Sequence, residues 1–306
     1  MRKVIGIGET ILDILFKDNQ PTAAVPGGSV FNGIISLGRL GVNVSFISET
    51  GNDKVGDIIL KFMRENGVST DYVNVFPEGK SPVSLAFLNE RNDAEYLFYK
   101  DYPRLRLDVA MPEIHRDDIV MIGSYYAVTP QLRDKVKELL DQAREKGAII
   151  YYDVNFRSTH KNEAIKLLPV ILENFEYADI IRGSVEDFEN MFGLADADKI
   201  YKSKIEFYCP YFICTHGGKE IRLYTKGMKK HYDVEPLQTV STVGAGDNFN
   251  AGVVFGLLKH RIRRDDLEEL SEDDWDHVIR CGKDFSADVC MSLSNSISKS
   301  FAAGYK

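Results

Sequence analysis

Cysteine is scarce in this sequence: four residues, Cys209, Cys214, Cys281 and Cys290, among 306. No two of them form a Cys-x-x-Cys pair, so buried, reduced thiols are expected rather than a disulfide framework or a zinc site. The six histidines, His216 among them, show no ligand spacing and are expected to be solvated or packed in the core. Long apolar runs are also missing; none approaches the roughly 20 residues that cross a bilayer. The N-terminal "MRKVIGIGETILDILF" starts basic, but Glu9 and Asp13 interrupt its apolar segment, which argues against a secretory signal and makes the cytoplasm the expected compartment. Positive charge is in deficit, with 38 Lys+Arg against 46 Asp+Glu and a net charge of −8. A general nucleic-acid or anionic-membrane binder would show the opposite balance. An anionic small molecule is not excluded, because one pocket can differ from the whole surface. Repeats, low-complexity stretches and dividing linkers are absent too, so residues 1–306 are expected to form one domain.

What is present reads as α/β. A strand from Val4 to Gly8 precedes a helix from Ser29 to Leu40, a strand from Val44 to Ser48 and an amphipathic helix from Lys54 to Glu65. "SPVSLAFLNE" and "AEYLFYK" then follow as two strands with no helix between them, turning at Asn92 and Asp93. They predict an antiparallel flap on the main sheet. From Ile119 the alternation is regular: strand Ile119–Ile122, helix Pro130–Lys146, strand Ala148–Tyr152, helix Asn162–Asn174, strand Asp179–Ile181, helix Val185–Phe192 and strand Tyr211–Thr215. Strands alternating with helices predict a mostly parallel central sheet covered on both faces, a three-layer sandwich. In such sheets ligands lie beyond the carboxyl ends of the strands. Residues just past those ends are Asp153, Asn155 and Arg157, then Ser184, then Thr215, Gly217 and Gly218.

"STVGAGDNFNAG", Ser241–Gly252, places bare backbone and an acid at the mouth of a helix. Amide groups at a helix start lack partners in the helix, and the helix dipole adds positive potential there. Gly244, Ala245 and Gly246 can thus hold a phosphate or a developing phosphoryl charge. A carboxylate beside an anion is out of place for binding alone. It makes sense if Asp247 orients or deprotonates a hydroxyl attacking that phosphate. Taken alone, the motif is equally a plain glycine turn with Asp247 facing the helix dipole. Two other glycine motifs fail: "GIGETI" has Ile11 where a dinucleotide fingerprint needs its third glycine, and in the "GKS" of Gly79–Ser81 Asn74 stands where a P-loop needs its first glycine, with Pro82 following.

A second glycine-rich stretch, "PGGSVFNGIISLGRLGVNVSFISETGNDKVG" (Pro26–Gly56), resembles the first signature of the ribokinase-like, or PfkB, carbohydrate kinases. "STVGAGDNFNAG" resembles their second, and the two occur in the family's order. The resemblance implies a ribokinase-like fold with a small β lid, contributed here mainly by about residues 10–26 and 80–102. It implies a sugar-contacting set of Asp13, Gly27, Gly28 and Asn32, a catalytic base at Asp247 and an anion hole at Gly244–Gly246. Thr215 and Gly217 of "CTHGG" match a turn along the ATP phosphates, and "DVNFR" supplies Asp153, Asn155 and Arg157 toward phosphates or sugar. Two departures bear on cofactors. Ser241 replaces an Asp tied to a monovalent-cation loop, which puts potassium activation in doubt. The family's Asn-x-x-Glu, linked to the Mg²⁺ water shell, corresponds to "SVED", so Ser184 replaces the Asn, and Glu186 or Asp187 is left to act through water. The adenine pocket is implied around Ser286–Asn295, without single residues.

"GETILDI" and "EYLFYK" are most similar to fructokinases, with Lys100 where those often carry Arg. The implied reaction is ATP- and Mg²⁺-dependent phosphorylation of a ketohexose at a primary hydroxyl, fructose to fructose 6-phosphate. A 2-keto-3-deoxygluconate kinase is the near alternative and would need Lys100 or Arg104 to meet a substrate carboxylate. A ribokinase or nucleoside kinase is more remote, and a silent sugar-binding regulator is the alternative of another class. A homodimer through the lid is also expected.

Overall fold

The computed structural model describes residues 2–89 and 94–305, in two compact units. The turn expected at Asn92 and Asp93 lies outside the described residues. Unit one comprises residues 1–113, 237–260 and 276–306; unit two comprises 114–236 and 261–275.

The first unit opens with β1 (Val4–Ile7), β2 (Ile11–Lys17), β3 (Gln20–Gly27), α1 (Ser29–Arg39), β4 (Val44–Gly51), α2 (Lys54–Glu65), β5 (Val73–Phe76), β6 (Lys80–Leu88) and β7 (Ala94–Asp101). β1, β4 and β5 pair in parallel, with Val4 opposite Val44 and Ser48 opposite Val73. The other four strands form a sheet of their own in the order β3-β2-β6-β7, not a flap on the main sheet, over the residues from which the lid is expected. β6 and β7 pair antiparallel, as read, while β2 lies parallel to β6. α2 begins where the sequence places it because Asp53 caps it, accepting from the amides of Val55 (3.0 Å) and Gly56 (2.9 Å). α1 has no such cap; Gly28, at φ 134°, turns the chain into it. Every residue from Val30 to Gly38 is buried.

The second unit contains β8 (Ile119–Gly123), α3 (Arg133–Lys146), β9 (Ile149–Asp153), α4 (Ala164–Tyr177), β10 (Ile180–Ser184), α5 (Val185–Phe192), α6 (Ala197–Ile200), β11 (Phe212–His216), β12 (Glu220–Tyr224) and β13 (Lys229–Asp233). β8 to β11 are parallel neighbours, and β12 and β13 add antiparallel strands at one side. β8 and β9 are buried along their whole length, the pattern of strands covered on both faces. Two predicted helices start late. Pro130–Leu132 and Ser158–Glu163 are tighter 3₁₀ turns, and the α-helices begin at Arg133 and Ala164. The chain then supplies α7 (Ala245–Lys259) to the first unit, followed by α8 (Glu272–Cys290) and α9 (Lys299–Gly304). All four cysteines are buried free thiols, as expected. Among the described residues no helix is long and apolar enough to cross a membrane.

Candidate active site

In the first unit the two glycine-rich signatures meet. Asn32, in the early turns of α1, donates from Nδ2 to Oδ2 of Asp247 in the first turn of α7, at 2.7 Å, and both are buried. A buried hydrogen bond to a carboxylate contributes about 1.5–3 kcal/mol and holds its aim. One turn further on, Ser36 Oγ donates to Asn248 Oδ1 at 2.5 Å, and Asn248 Nδ2 donates to the carbonyls of Gly244 and Asn295, both at 2.8 Å. Gly244 has φ 78°, and a side chain there would meet the Asn295 carbonyl oxygen at 2.9 Å. Glycine is therefore required on two counts at the residue that launches α7. The Ala245 amide, assigned to the anion hole from the sequence, donates to the Thr242 carbonyl at 3.2 Å. The turn closes on itself there, and the Gly246 amide remains without a partner inside the helix.

Asp13, on β2, is buried beside the same cluster. Its Oδ1 accepts from Ser84 Oγ (2.5 Å) and its Oδ2 from Asn295 Nδ2 (3.1 Å). Burial pushes its carboxyl up to about 6; the bonds from Ser84 and Asn295 pull it down, and the Glu9 charge pushes it further up. Gly27 lies against this carboxylate, and sterics require glycine both there and at Gly28. A side chain at Gly27 would run into Asp13 and Asn295, and one at Gly28 would run into the Glu9 carbonyl. Lys100, expected to contact substrate, instead places Nζ 2.8 Å from Glu9, whose carboxylate also accepts from the Tyr102 hydroxyl. The Arg106 guanidinium lies 3.5 Å over the Tyr102 ring and forks onto the buried Glu49.

The second unit gathers several of the strand-end residues around Arg182, a residue that no local motif of the sequence marks. Its guanidinium is buried in β10 and donates to Asp153 Oδ1 (3.0 Å) and Thr215 Oγ1 (2.7 Å). Asp153 Oδ2 is buried with no hydrogen-bond partner among the described residues. Ser184 and Asp187 form a capping box at the start of α5: Ser184 N and Oγ donate to Asp187 Oδ2 at 2.6 and 2.8 Å. Burial, and next the Asp153 charge, push the Asp187 carboxyl up, while Arg182 opposes them. Glu186 and Arg157 are exposed, Asn155 is buried at φ 38°, and Gly217 sits exposed in a turn at φ 51°. Among the described residues no group of three or more histidine, cysteine or acidic side chains is arranged to hold a metal. The set present suits an ion that keeps most of its waters, as Mg²⁺ does. Glu186 and the open oxygen of Asp153 can face such a shell, but Asp187 has one oxygen committed to its own helix. Asn295, expected near an adenine pocket in a helix, lies beyond the end of α8 and is bonded to Asp13.

Residues 1–293 match the family model described as pfkB family carbohydrate kinase. The chain belongs to this family. The kinase is 27% identical over 263 residues to a fructokinase of Rhizobium leguminosarum bv. trifolii, with 83% of this chain and 79% of that protein covered. It is 29% identical over 248 residues to a 5-dehydro-2-deoxygluconokinase of Geobacillus thermodenitrificans, covering 76% and 72% respectively. A solved structure of a Vibrio cholerae fructokinase double mutant, with fructose, ADP and a potassium ion bound, superposes with a TM-score of 0.84 at 18% identity, covering 100% of this chain and 99% of that one. The kinase is thus a phosphotransferase acting on a sugar, with the ribokinase-like α/β fold, a mostly parallel sheet and a small β lid.

Proposed function

We propose that residues 1–306 act as one kinase domain that transfers the γ-phosphoryl group of ATP to a primary hydroxyl of a ketohexose, fructose giving fructose 6-phosphate. The observation that carries this reading is the buried Asn32–Asp247 bond, which sets a carboxylate at a helix start beside the Asp13 cluster. Asp13, Gly27, Gly28 and Asn32 seat the sugar. Ionised Asp13 accepts from hydroxyls, and the two glycines let a polyol approach the backbone. Asp247 orients the attacking hydroxyl and takes its proton late in a loose transfer, a step that asks little basicity of it. Gly244 and Gly246 line the anion hole, with Ala245 shaping its turn. Arg157 offsets charge on the moving phosphoryl group. Asp153, Asn155, Ser184, Thr215 and Gly217 serve the nucleotide phosphates, with Arg182 holding Asp153 and Thr215 in place. Mg²⁺, when bound, neutralises charge on those phosphates, with Glu186 and Asp153 toward its water shell and Asp187 mainly structural.

A second reading, phosphorylation of a keto-deoxy sugar acid, is favoured by the Geobacillus relative. Against it, Lys100 is already paired with Glu9. An ADP-release assay over fructose, ribose, 2-keto-3-deoxygluconate, 5-dehydro-2-deoxygluconate and adenosine separates the two. Highest kcat/KM on fructose is expected; a clear preference for either sugar acid would replace the fructose assignment.

A further inference from the structure

Asn295 belongs to neither signature. Its side chain is 1% exposed, in the irregular stretch between α8 and α9. Nδ2 donates to Asp13 at 3.1 Å, while the backbone carbonyl accepts from Asn248 at 2.8 Å. Two glycines make room for it: side chains at Gly27 and Gly244 would each meet an Asn295 atom at 2.9 Å. One residue thus touches the carboxylate of β2, the entry to α1 and the turn before α7. Its Oδ1 is buried without a hydrogen-bond partner among the described residues, and the same holds for Oδ1 of Asn32. Native proteins seldom leave a buried acceptor unmatched, so each such atom asks for a donor from elsewhere. The amide cannot simply be turned around, because an ionised Asp13 needs the NH₂ end.

We propose that Asn295 is a sugar-binding and positioning residue, which orients Asp13 through Nδ2 and accepts one substrate hydroxyl at Oδ1. The proposal rests on reading the Asp13 cluster as the sugar seat. That seat then offers acceptors from Asp13, Asn32 and Asn295, which suits a polyol whose every hydroxyl brings a proton to donate. A substrate carboxylate, having none, gains nothing from these oxygens.

The roles of Asn295 can be separated. Asn295→Ala keeps the backbone carbonyl and hence the Asn248 bond, while deleting both side-chain links. Binding calorimetry and steady-state kinetics with fructose and its deoxy analogues, each lacking one hydroxyl, should be compared for wild type, Asn295→Ala and Asp13→Ala. In Asn295→Ala the fructose KM is expected to rise on the order of 10-fold, through the loss of one buried hydrogen bond between a sugar hydroxyl and the neutral amide oxygen together with the looser aim of Asp13, with kcat held within about threefold. Wild type should discriminate against one deoxy analogue that Asn295→Ala treats like fructose, a coupling that a merely structural role does not produce. Fructose binding unchanged by Asn295→Ala, or every analogue weakened by the same factor in both proteins, overturns the inference. If Asp13→Ala also leaves fructose binding intact, the sugar seat itself is misplaced; if only Asp13→Ala matters, the seat stands and the role of Asn295 falls. Asn295→Ser, too short to reach Asp13, gives the same comparison should the alanine variant not fold.

Discussion

Sugar affinity should depend on pH through Asp13. In the folded protein its carboxyl is pushed from 3.8 up to about 6, chiefly by burial. A hydroxyl donates to a carboxylate, but a protonated carboxyl offers one acceptor fewer and a competing donor. If only the ionised form seats the sugar, the apparent affinity scales with the ionised fraction, which is one half at pH 6 and roughly one eleventh at pH 5. Fructose binding measured by calorimetry without nucleotide should therefore weaken about 11-fold between pH 8 and pH 5, about twofold of it by pH 6 and the rest below. Binding near pH 6 should release about half a proton, seen as a heat that changes with the ionisation enthalpy of the buffer. Asp13→Asn should bind weakly and show no such dependence. The stability effect has the opposite sense. Because the folded-state value lies above the unfolded one, the folded protein holds this proton more tightly, and stability is lost as pH rises from about 4 to about 6. The whole effect is at most about 3 kcal/mol, from roughly two pKa units at 1.36 kcal/mol each. Affinity that stays flat, or rises as pH falls, would refute the assignment of Asp13 to the sugar.

Asp247→Asn should lower kcat by about 10²-fold or more while leaving the sugar KM within a few-fold; near-normal turnover would falsify the base assignment. Arg182→Met leaves Asp153 buried without its ion pair and should destabilise the protein by about 3–5 kcal/mol in urea unfolding, whereas a loss under 1 kcal/mol would mean that Asp153 is solvated. Gly244→Ala imposes a side chain on a left-handed residue against the Asn295 carbonyl; a cost of at least about 1–2 kcal/mol and a fall in kcat are expected, and an unchanged melting temperature would count against the tight turn. Leu97, Phe98 and Tyr99 on β7 are 49%, 46% and 59% exposed. If the lid pairs two copies, Leu97→Ser with Tyr99→Ser should convert a dimer to a monomer in sedimentation; a wild-type monomer at all concentrations ends that idea.

Much of this architecture was legible where local chemistry decides it. α2 and α5 begin and end where the sequence places them, because each has an acidic or hydroxyl cap followed by an amphipathic run. β4 continues through Glu49, Thr50 and Gly51, residues that look like a loop yet are buried in the strand. The hairpin of β12 and β13 was not read, since its charged, alternating residues carry no helical or buried-strand pattern. Arg182 escaped notice because a charged residue after "DII" looks like a strand's end, and only the fold brings Asp153 and Thr215 to it. Asn295 meets Asp13 across 282 positions of sequence, a distance no local pattern spans. Lys100 was legible as a lid cation, but its engagement with Glu9 was not.

The uninterrupted burial of Val30–Gly38 limits how this enzyme can be reshaped. Asn32 and Ser36 project from a rod that is packed on every side, so enlarging or rotating them displaces neighbours instead of opening space. Retuning the preferred sugar should therefore begin on β7, where Leu97, Phe98 and Tyr99 border water, leaving the α1 positions as a fixed mould.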